Sequence, residues 1–472
     1  MTLLIKNIQL LDGTGKAPVK TDVLIKKEKI AAIEENINYK ADETIEGMGA
    51  YLSPGFIDIN NHSDRHLDIF SDYPQEQFII QGITTIIGGS DGISLAPLVY
   101  GSLQTIRDYA DVNKINVDWH SFSEFFQRLK KQPLTVNFGT LLGHTTIRRA
   151  IIGEPIFRNL SENELKIFNL ILNKNLQAGA FGISVGLNNP LVSQTSYFEI
   201  KKLAEIAASH KRLFAISPKN KKEGLFESIK KIVYLAKETG AKFLINDFLP
   251  FSGFEKDYRQ AIALIEENSA SADIHFSVYP FEENIALIET LLDNKNKISR
   301  LKDNNVVIIH APEHEYLIGK SLEEFCSTRN LNFKQGLAKL AEIVGSRAEI
   351  VEMKAIDGQN LANALANEQS FICSSGSGTM NSVFNNYRAF AKFLEIAEKE
   401  KILPIEKAVA KITYLPAKKL GLAERGEIKI GNYADLVVFK EGNIKEVILN
   451  GEHVVKEGIF LGISAGKALK CG

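Results

Sequence analysis

Pro54-Gly55-Phe56-Ile57-Asp58-Ile59-Asn60-Asn61-His62-Ser63-Asp64 is the stretch whose reading decides the fold. After a Pro-Gly turn signal, residues 56–59 read as a short buried strand that delivers a polar loop carrying Asn60, His62 and Asp64. Upstream, residues 1–53 read as short β-strands: Leu3-Leu4-Ile5, Val23-Leu24-Ile25 and Ile30-Ala31-Ala32-Ile33, parted by turn signals at Asp12-Gly13-Thr14-Gly15 and by the lysine cluster at 26–29. Gly13-Thr14-Gly15-Lys16 lacks the spacing of a phosphate loop and reads as a hairpin turn.

Downstream the pattern changes. Short apolar runs alternate with amphipathic segments, predicting strands at 56–59, 84–87, 135–138, 182–185, 213–216, 243–245, 275–278, 306–309, 349–351 and 371–373. Helical patterns fall at 163–171, 197–208, 224–239 and 387–400. Such alternation without Pro/Gly-rich linkers argues for an α/β fold whose parallel sheet closes as a (β/α)8 barrel. Ten candidates exceed eight, so one or two belong to an insertion within about 281–350. β-character returns at Leu436-Val437-Val438-Phe439 and Val447-Ile448-Leu449, followed by the hairpin signal Asn450-Gly451. The terminal segments, 1–53 and 424–472, are therefore expected to form one small β-sandwich flanking a barrel of residues 54–423.

Composition excludes several classes. Among 472 residues, 56 basic and 57 acidic side chains leave a net charge of −1, with no stripe of positive charge for nucleic acid. The run Lys219-Asn220-Lys221-Lys222 reads as solvated surface. Cys326, Cys373 and Cys471 are far apart, which rules out a disulfide framework and a cysteine-type structural zinc site. No apolar run approaches a membrane span, and Lys6 interrupts the start too early for a signal peptide. A cytoplasmic location is expected.

The opening stretch resembles the first-strand signature of the amidohydrolase superfamily, ordinarily Pro-Gly-Phe-Ile-Asp-x-His-x-His, with Asn60 in place of the first histidine. Further stretches are similar to its N-acyl-D-amino-acid deacylase, or D-aminoacylase-like, branch. They are Gln81–Thr85 with Gly92–Pro97, Gly143–Arg148, Gly179–Gly186, Tyr279-Pro280, Gly319–Leu322 and the closing segment Ala434–Phe439. The resemblance runs in order along essentially the whole chain. It implies a zinc ion at the C-terminal mouth of the barrel, polarising an amide and lowering the pKa of a bound water.

The same resemblance implies where the ligands fall: a His-x-His pair after strand 1, a Cys after strand 2, a His after each of strands 5 and 6, and an Asp after strand 8 that doubles as general base. Here those positions hold Asn60 and His62, Asp91, Ser217, Asp247 and Ser375, so only His62 is retained. Amides and hydroxyls are poor zinc donors. With about 3 kcal/mol per ligand, losing two or three weakens binding by roughly four to six orders of magnitude.

No cofactor is therefore expected. If one binds, His62, Asp91 and Asp247 form a one-His, two-carboxylate set suited to a single Mn²⁺ or Mg²⁺, and weakly to Zn²⁺. The alternative is that these acids make hydrogen bonds and ion pairs. Asp58 reads as an anchor of the strand-1 loop, while Asp64 and Asp68 face either mouth or solvent. His144 and Arg148 are four apart on a helical pattern and either hold a loop or contact ligand. Tyr279 matches a family position implied to meet substrate, whereas a second family tyrosine is replaced by Asn189. Ser374-Ser375-Gly376-Ser377-Gly378 is not a nucleophile elbow, and Pro312 breaks the His310/His314 pair into a turn.

Two functions stay open. One is a binding, regulatory or partner subunit without zinc-dependent deacylation, taking a small acidic or acylated amino-acid ligand. The other is a hydrolase of non-peptide C–N bonds, in an N-acyl amino acid or cyclic amide, with an altered metal site. A homodimer is implied by the resemblance alone; nucleic-acid and membrane partners are not expected.

Overall fold

The computed structural model describes residues 1–65, 67–70, 75–99, 104–107, 112–153, 158–192, 194–288, 306–311, 313–345, 348–374 and 388–472. Ser375, the position matching the family base, lies outside the described residues.

Eight parallel strands build the barrel: Phe56–Asp58, Ile83–Gly88, Asn137–Thr140 continued by Leu142–Gly143, Gly182–Gly186, Leu213–Ser217, Lys242–Ile245, Ile274–Val278 and Ser370–Ile372. Each neighbouring pair from the third strand to the eighth is in parallel register, for example Ile183 beside Phe214 and Phe276 beside Ser370. The first and last strands are tied by side chains. Ser374 donates to the Asp58 carboxylate through its backbone N–H at 3.2 Å and its hydroxyl at 2.5 Å.

Period-two alternation sorts the strand residues. Ile57, Ile87, Leu213, Ala215, Leu244 and Phe371 fill one cluster. The intervening Ile183, Phe214, Ile216, Phe243, Ile245 and Phe276 belong to the main core, together with helical side chains. At roughly 25 cal/mol per Å² of apolar surface, burying such large side chains is the dominant stabilising term.

The expected helices form with shifted ends. Glu162–Gln177 is longer than predicted because the Ser161/Glu164 capping box starts it one residue early, and Phe168, Leu172 and Leu176 extend its buried stripe. Tyr197–Ser209, Leu225–Thr239 and Ala389–Glu400 match the others to within two residues.

Two of the ten expected strands lie outside the barrel. Val306–His310 and Glu349–Glu352 pair antiparallel with each other, and Asn284–Leu287 joins the second. This three-stranded sheet sits between the seventh and eighth barrel strands and has a core of its own, including Val306, Ile308, Phe325, Leu337 and Ile350.

The chain ends meet in one nine-stranded sheet. Tyr51–Pro54 is the junction, parallel to Thr2–Leu10 and antiparallel to Leu436–Lys440. Alternation again decides the packing. Leu436 and Val438 face the β-domain core with Leu3, Ile5 and Leu52, while Val437 and Phe439 face the barrel. Phe56 stacks on Phe390 there and meets Phe439 edge-on. Asn450 and Gly451 both take positive φ, as a two-residue hairpin needs. A Cβ on Gly451 would sit 1.9 Å from the Lys27 carbonyl, so only glycine fits.

The last residues leave the terminal sheet, unlike the expectation for 424–472. Gly466 bonds to the Leu134 carbonyl, Leu469 to that of Phe138 and Cys471 to that of Gly179, so the tail runs back along the barrel. Among the described residues, no helix is long and apolar enough to cross a membrane.

Candidate functional site

The loops leaving the C-terminal ends of the strands converge on a buried polar cluster. His62, Asp91 and Asp247 place ligand atoms within 4.8 Å of one another. They come from the loops after strands 1, 2 and 6. Both aspartates hold left-handed backbone, φ 52° at Asp91 and 49° at Asp247. Aspartate tolerates that region better than most residues, and such geometry persists where the surroundings over-determine it.

At Asp91 the surroundings are Gly92, whose N–H bonds to Ser184 at 3.0 Å, and Ser184 itself, whose hydroxyl donates to the Gly89 carbonyl. At Asp247 they include the Ser277 hydroxyl, which accepts from the Asp247 N–H at 3.0 Å.

Every carboxylate oxygen in the cluster has a protein neighbour. Asp91 Oδ1 accepts from the Ser217 hydroxyl and from Asn246 Nδ2 at 3.3 Å. Its Oδ2 lies 3.2 Å from an Arg65 guanidinium nitrogen and 3.7 Å from His62 Nε2. Asp247 Oδ1 accepts from Asn60 Nδ2 at 2.9 Å, and its Oδ2 meets Lys221 Nζ at 3.2 Å. Asn60 and Ser217, at positions where the resemblance implies metal ligands, thus act as donors to the carboxylates.

The electrostatics follow from these contacts. Two carboxylates this close repel by about 3 kcal/mol at an effective dielectric of 20, and Arg65 and Lys221 offset that. Burial pushes Asp91 up, but His62, Arg65, Lys221 and the Ser217 hydroxyl outweigh it and hold it well below the usual carboxylate range. Burial pulls Lys221 down, yet Asp247 and Asp91 hold it above its ordinary value. Burial and the Arg65 charge together lower His62 to about 4, so the ring is neutral at pH 7.

Asp58 and Asp64 are anchors. Asp58 ties Asn61 at 2.8 Å and Ser374, and complete burial raises it to about 6. Asp64 accepts from the Gly89 N–H at 2.7 Å, and burial raises it also to about 6 against the pull of Arg65. His144 and Arg148 are both buried against Glu199, with His144 Nε2 2.8 Å from its carboxylate and Arg148 ion-paired to it. This triad clamps the helix His144–Ile152 to Tyr197–Ser209. Burial pushes Glu199 up, but His144 and Arg148 bring it below its ordinary value.

Tyr279 is buried beyond the seventh strand, its hydroxyl pKa driven well up by burial and by the field of Asp247.

The Amidohydrolase family matches the chain over residues 51–454. The chain belongs to that family. D-aminoacylase from Alcaligenes xylosoxydans xylosoxydans is 25% identical over 496 aligned positions, covering 99% of this chain and 97% of its own length. N-acyl-D-glutamate deacylase of the same organism is also 25% identical, over 93% and 87%. A D-aminoacylase crystal structure superposes with a TM-score of 0.83 at 25% identity, over 99% of both chains. N-acyl-D-glutamate deacylase from Bordetella bronchiseptica, solved with zinc and a phosphonate mimic of the tetrahedral intermediate, reaches 0.84 at 22% identity and shares the fold. This amidohydrolase is therefore of the D-aminoacylase-like branch.

The zinc donor set that the resemblance implies does not fit these residues. Asn60, Ser217, Asp91 and Asp247, an amide, a hydroxyl and two already paired carboxylates, stand where the resemblance implies three imidazoles and a thiolate. His62, Asp91 and Asp247 are close enough to hold one harder divalent ion, provided the ammonium and guanidinium give way.

Sequence reasoning missed Arg65, Lys221, Asn246 and Ser277. Lys221 lies in the run read as solvated surface, but its side chain turns inward and is only 24% exposed. Arg65 follows His62 by three residues, and that spacing was its only signal.

Proposed function

We propose that this amidohydrolase binds an acylated amino acid or a similarly small acidic ligand at the barrel mouth without zinc-dependent deacylation. The observation that carries this reading is the pairing of Asp91 with Arg65 and of Asp247 with Lys221, beside Asn60 and Ser217 where zinc ligands are implied. With His62 neutral, the two cations Arg65 and Lys221 balance the two carboxylates Asp91 and Asp247. The chain's similarity to a D-aminoacylase and an N-acyl-D-glutamate deacylase supports the ligand class. Lys221, partly exposed at the rim and carrying three N–H donors, suits a ligand carboxylate.

Thermal shift across N-acyl amino acids of both hands tests this, alongside release of free amino acid with added Zn²⁺. Stabilisation by ~2 °C or more for one hand, with no turnover, is expected. A flat profile, or zinc-dependent release, contradicts it.

A second reading is favoured by the convergence of His62, Asp91 and Asp247. In it, a harder ion at these three residues supports hydrolysis of a C–N bond in an N-acyl amino acid or cyclic amide. Turnover that depends on Mn²⁺ and is lost in Asp91→Ala identifies this case.

A further inference from the structure

We propose that Arg65 and Lys221 are built-in replacements for the metal ion: two side-chain cations that supply the positive charge and the loop cross-links which a divalent ion supplies in an amidohydrolase mouth. The inference shares with the reading above the premise that the mouth works without zinc chemistry, but it concerns what occupies the cation's place.

The first ground is position. Lys221 rises from the segment after the fifth strand, Leu213–Ser217, and Arg65 from the loop after the first, Phe56–Asp58. These two loops are among those from which the resemblance implies histidine ligands. Here the same loops deliver cations to the same centre.

The second ground is competition for the carboxylate oxygens. A carboxylate poised for an ion leaves lone pairs aimed at the ion's position. In this cluster Asp91 receives Ser217, Asn246 and Arg65, and Asp247 receives Asn60 and Lys221. Charge-assisted contacts from an ammonium or guanidinium are the strongest competitors a divalent cation can meet at such oxygens.

The third ground is connectivity. Through Arg65–Asp91, Ser217–Asp91, Lys221–Asp247 and Asn60–Asp247, the loops after strands 1, 2, 5 and 6 are bound into one unit. Arg65 also donates to the Ser90 carbonyl at 2.7 Å, fixing the turn that presents Asp91. A metal centre would join the same loops.

The test is a gain of function in the full chain. Wild type, Lys221→Met, Lys221→Arg and the Arg65→Met/Lys221→Met pair are titrated with Mn²⁺ and with Zn²⁺ by calorimetry at pH 7. The expected result is uptake too weak to saturate in wild type and Lys221→Arg, and one ion per chain in Lys221→Met and in the Arg65→Met/Lys221→Met pair, at least about 100-fold tighter than the weakest binding the titration can detect in wild type. Adding Asp247→Asn to Lys221→Met should abolish the gain, which locates the ion. Lys221→Gln replaces Lys221→Met if the latter does not fold.

Wild type that binds one ion as tightly as Lys221→Met overturns the proposal. So does Lys221→Met, or the Arg65→Met/Lys221→Met pair, with native circular dichroism and melting that gains no metal. Ligand shifts and turnover report separately on the proposed function: wild type can load metal, sinking this inference, and still bind acylated amino acids without hydrolysing them.

Discussion

The two ends of the barrel bury charge in different ways. At the mouth, two carboxylates face two cations, and Lys221 is held above its ordinary pKa despite its burial. At the foot, beside the N-terminal ends of strands 7 and 8, lysines outnumber their close partners. Lys419 reaches Asp273 and His275, but Asp273 is itself 44% exposed, and burial brings the lysine down to about 8. Lys411 donates to the Asn367 carbonyl, and burial lowers it to about 7 against the weaker pull of Glu368. What keeps an enclosed lysine charged is thus a matching enclosed carboxylate together with some access to water, as at the 24% exposed Lys221. The mouth has that match.

The sharpest way to break this comparison is to remove one side of it. Asp91→Ala strands Arg65 and the donors of Ser217 and Asn246 in a buried site, and should cost about 3–5 kcal/mol in urea unfolding. A cost near zero would mean that the mouth charges are not mutually dependent.

Lys411→Met at the foot should have the opposite sign, stabilising the protein by about 2 kcal/mol at pH 7, because a poorly compensated ammonium is exchanged for an apolar chain. The unfolded chain keeps this proton up to the ordinary lysine value of 10.5, while the folded protein releases it near 7. Between those values the unfolded state binds more protons, so wild-type stability should climb with pH there. Melting curves from pH 7 to 10 should show a smaller climb in Lys411→Met.

The smallest effect is expected in the β-domain. His453 bridges Glu446 at 2.8 Å and Glu43 at 3.0 Å, joining C-terminal to N-terminal strands. Burial pulls its pKa down, but the two glutamates outweigh it and raise it above 6.5. The contribution is fully present below pH 6.5 and fades as pH rises through the folded value. His453→Gln should cost about 1 kcal/mol at pH 6 and less at pH 9, read as the difference between denaturation midpoints.

The barrel was legible because its strands alternate apolar runs with amphipathic helices, and because signals such as Pro54-Gly55 and Asn450-Gly451 act locally. The insertion announced itself only as surplus strands; pairing between 306–310 and 349–352 is set by contacts distant in sequence. His62, Asp91, Asp247, Asn60 and Ser217 could be placed through the resemblance, and the structure brings them together. Lys221 could not. A lysine run gives no sign of which side chain will turn inward; the acids that draw in Lys221 lie on other loops, 26 and 130 residues away in sequence. Arg65 was hidden for the same reason, since its partner Asp91 belongs to the next strand's loop. The course of the tail was not legible, since much of its bonding goes to the distant backbone carbonyls of Leu134, Phe138 and Gly179.

The central claim is that paired side chains, rather than a zinc ion, balance charge at the mouth. Elemental mass spectrometry tests it most directly, on protein purified without chelators and dialysed against Zn²⁺ or Mn²⁺. The account predicts far less than one equivalent of either metal. One equivalent per chain, lost in Asp91→Ala or Asp247→Ala, would contradict it.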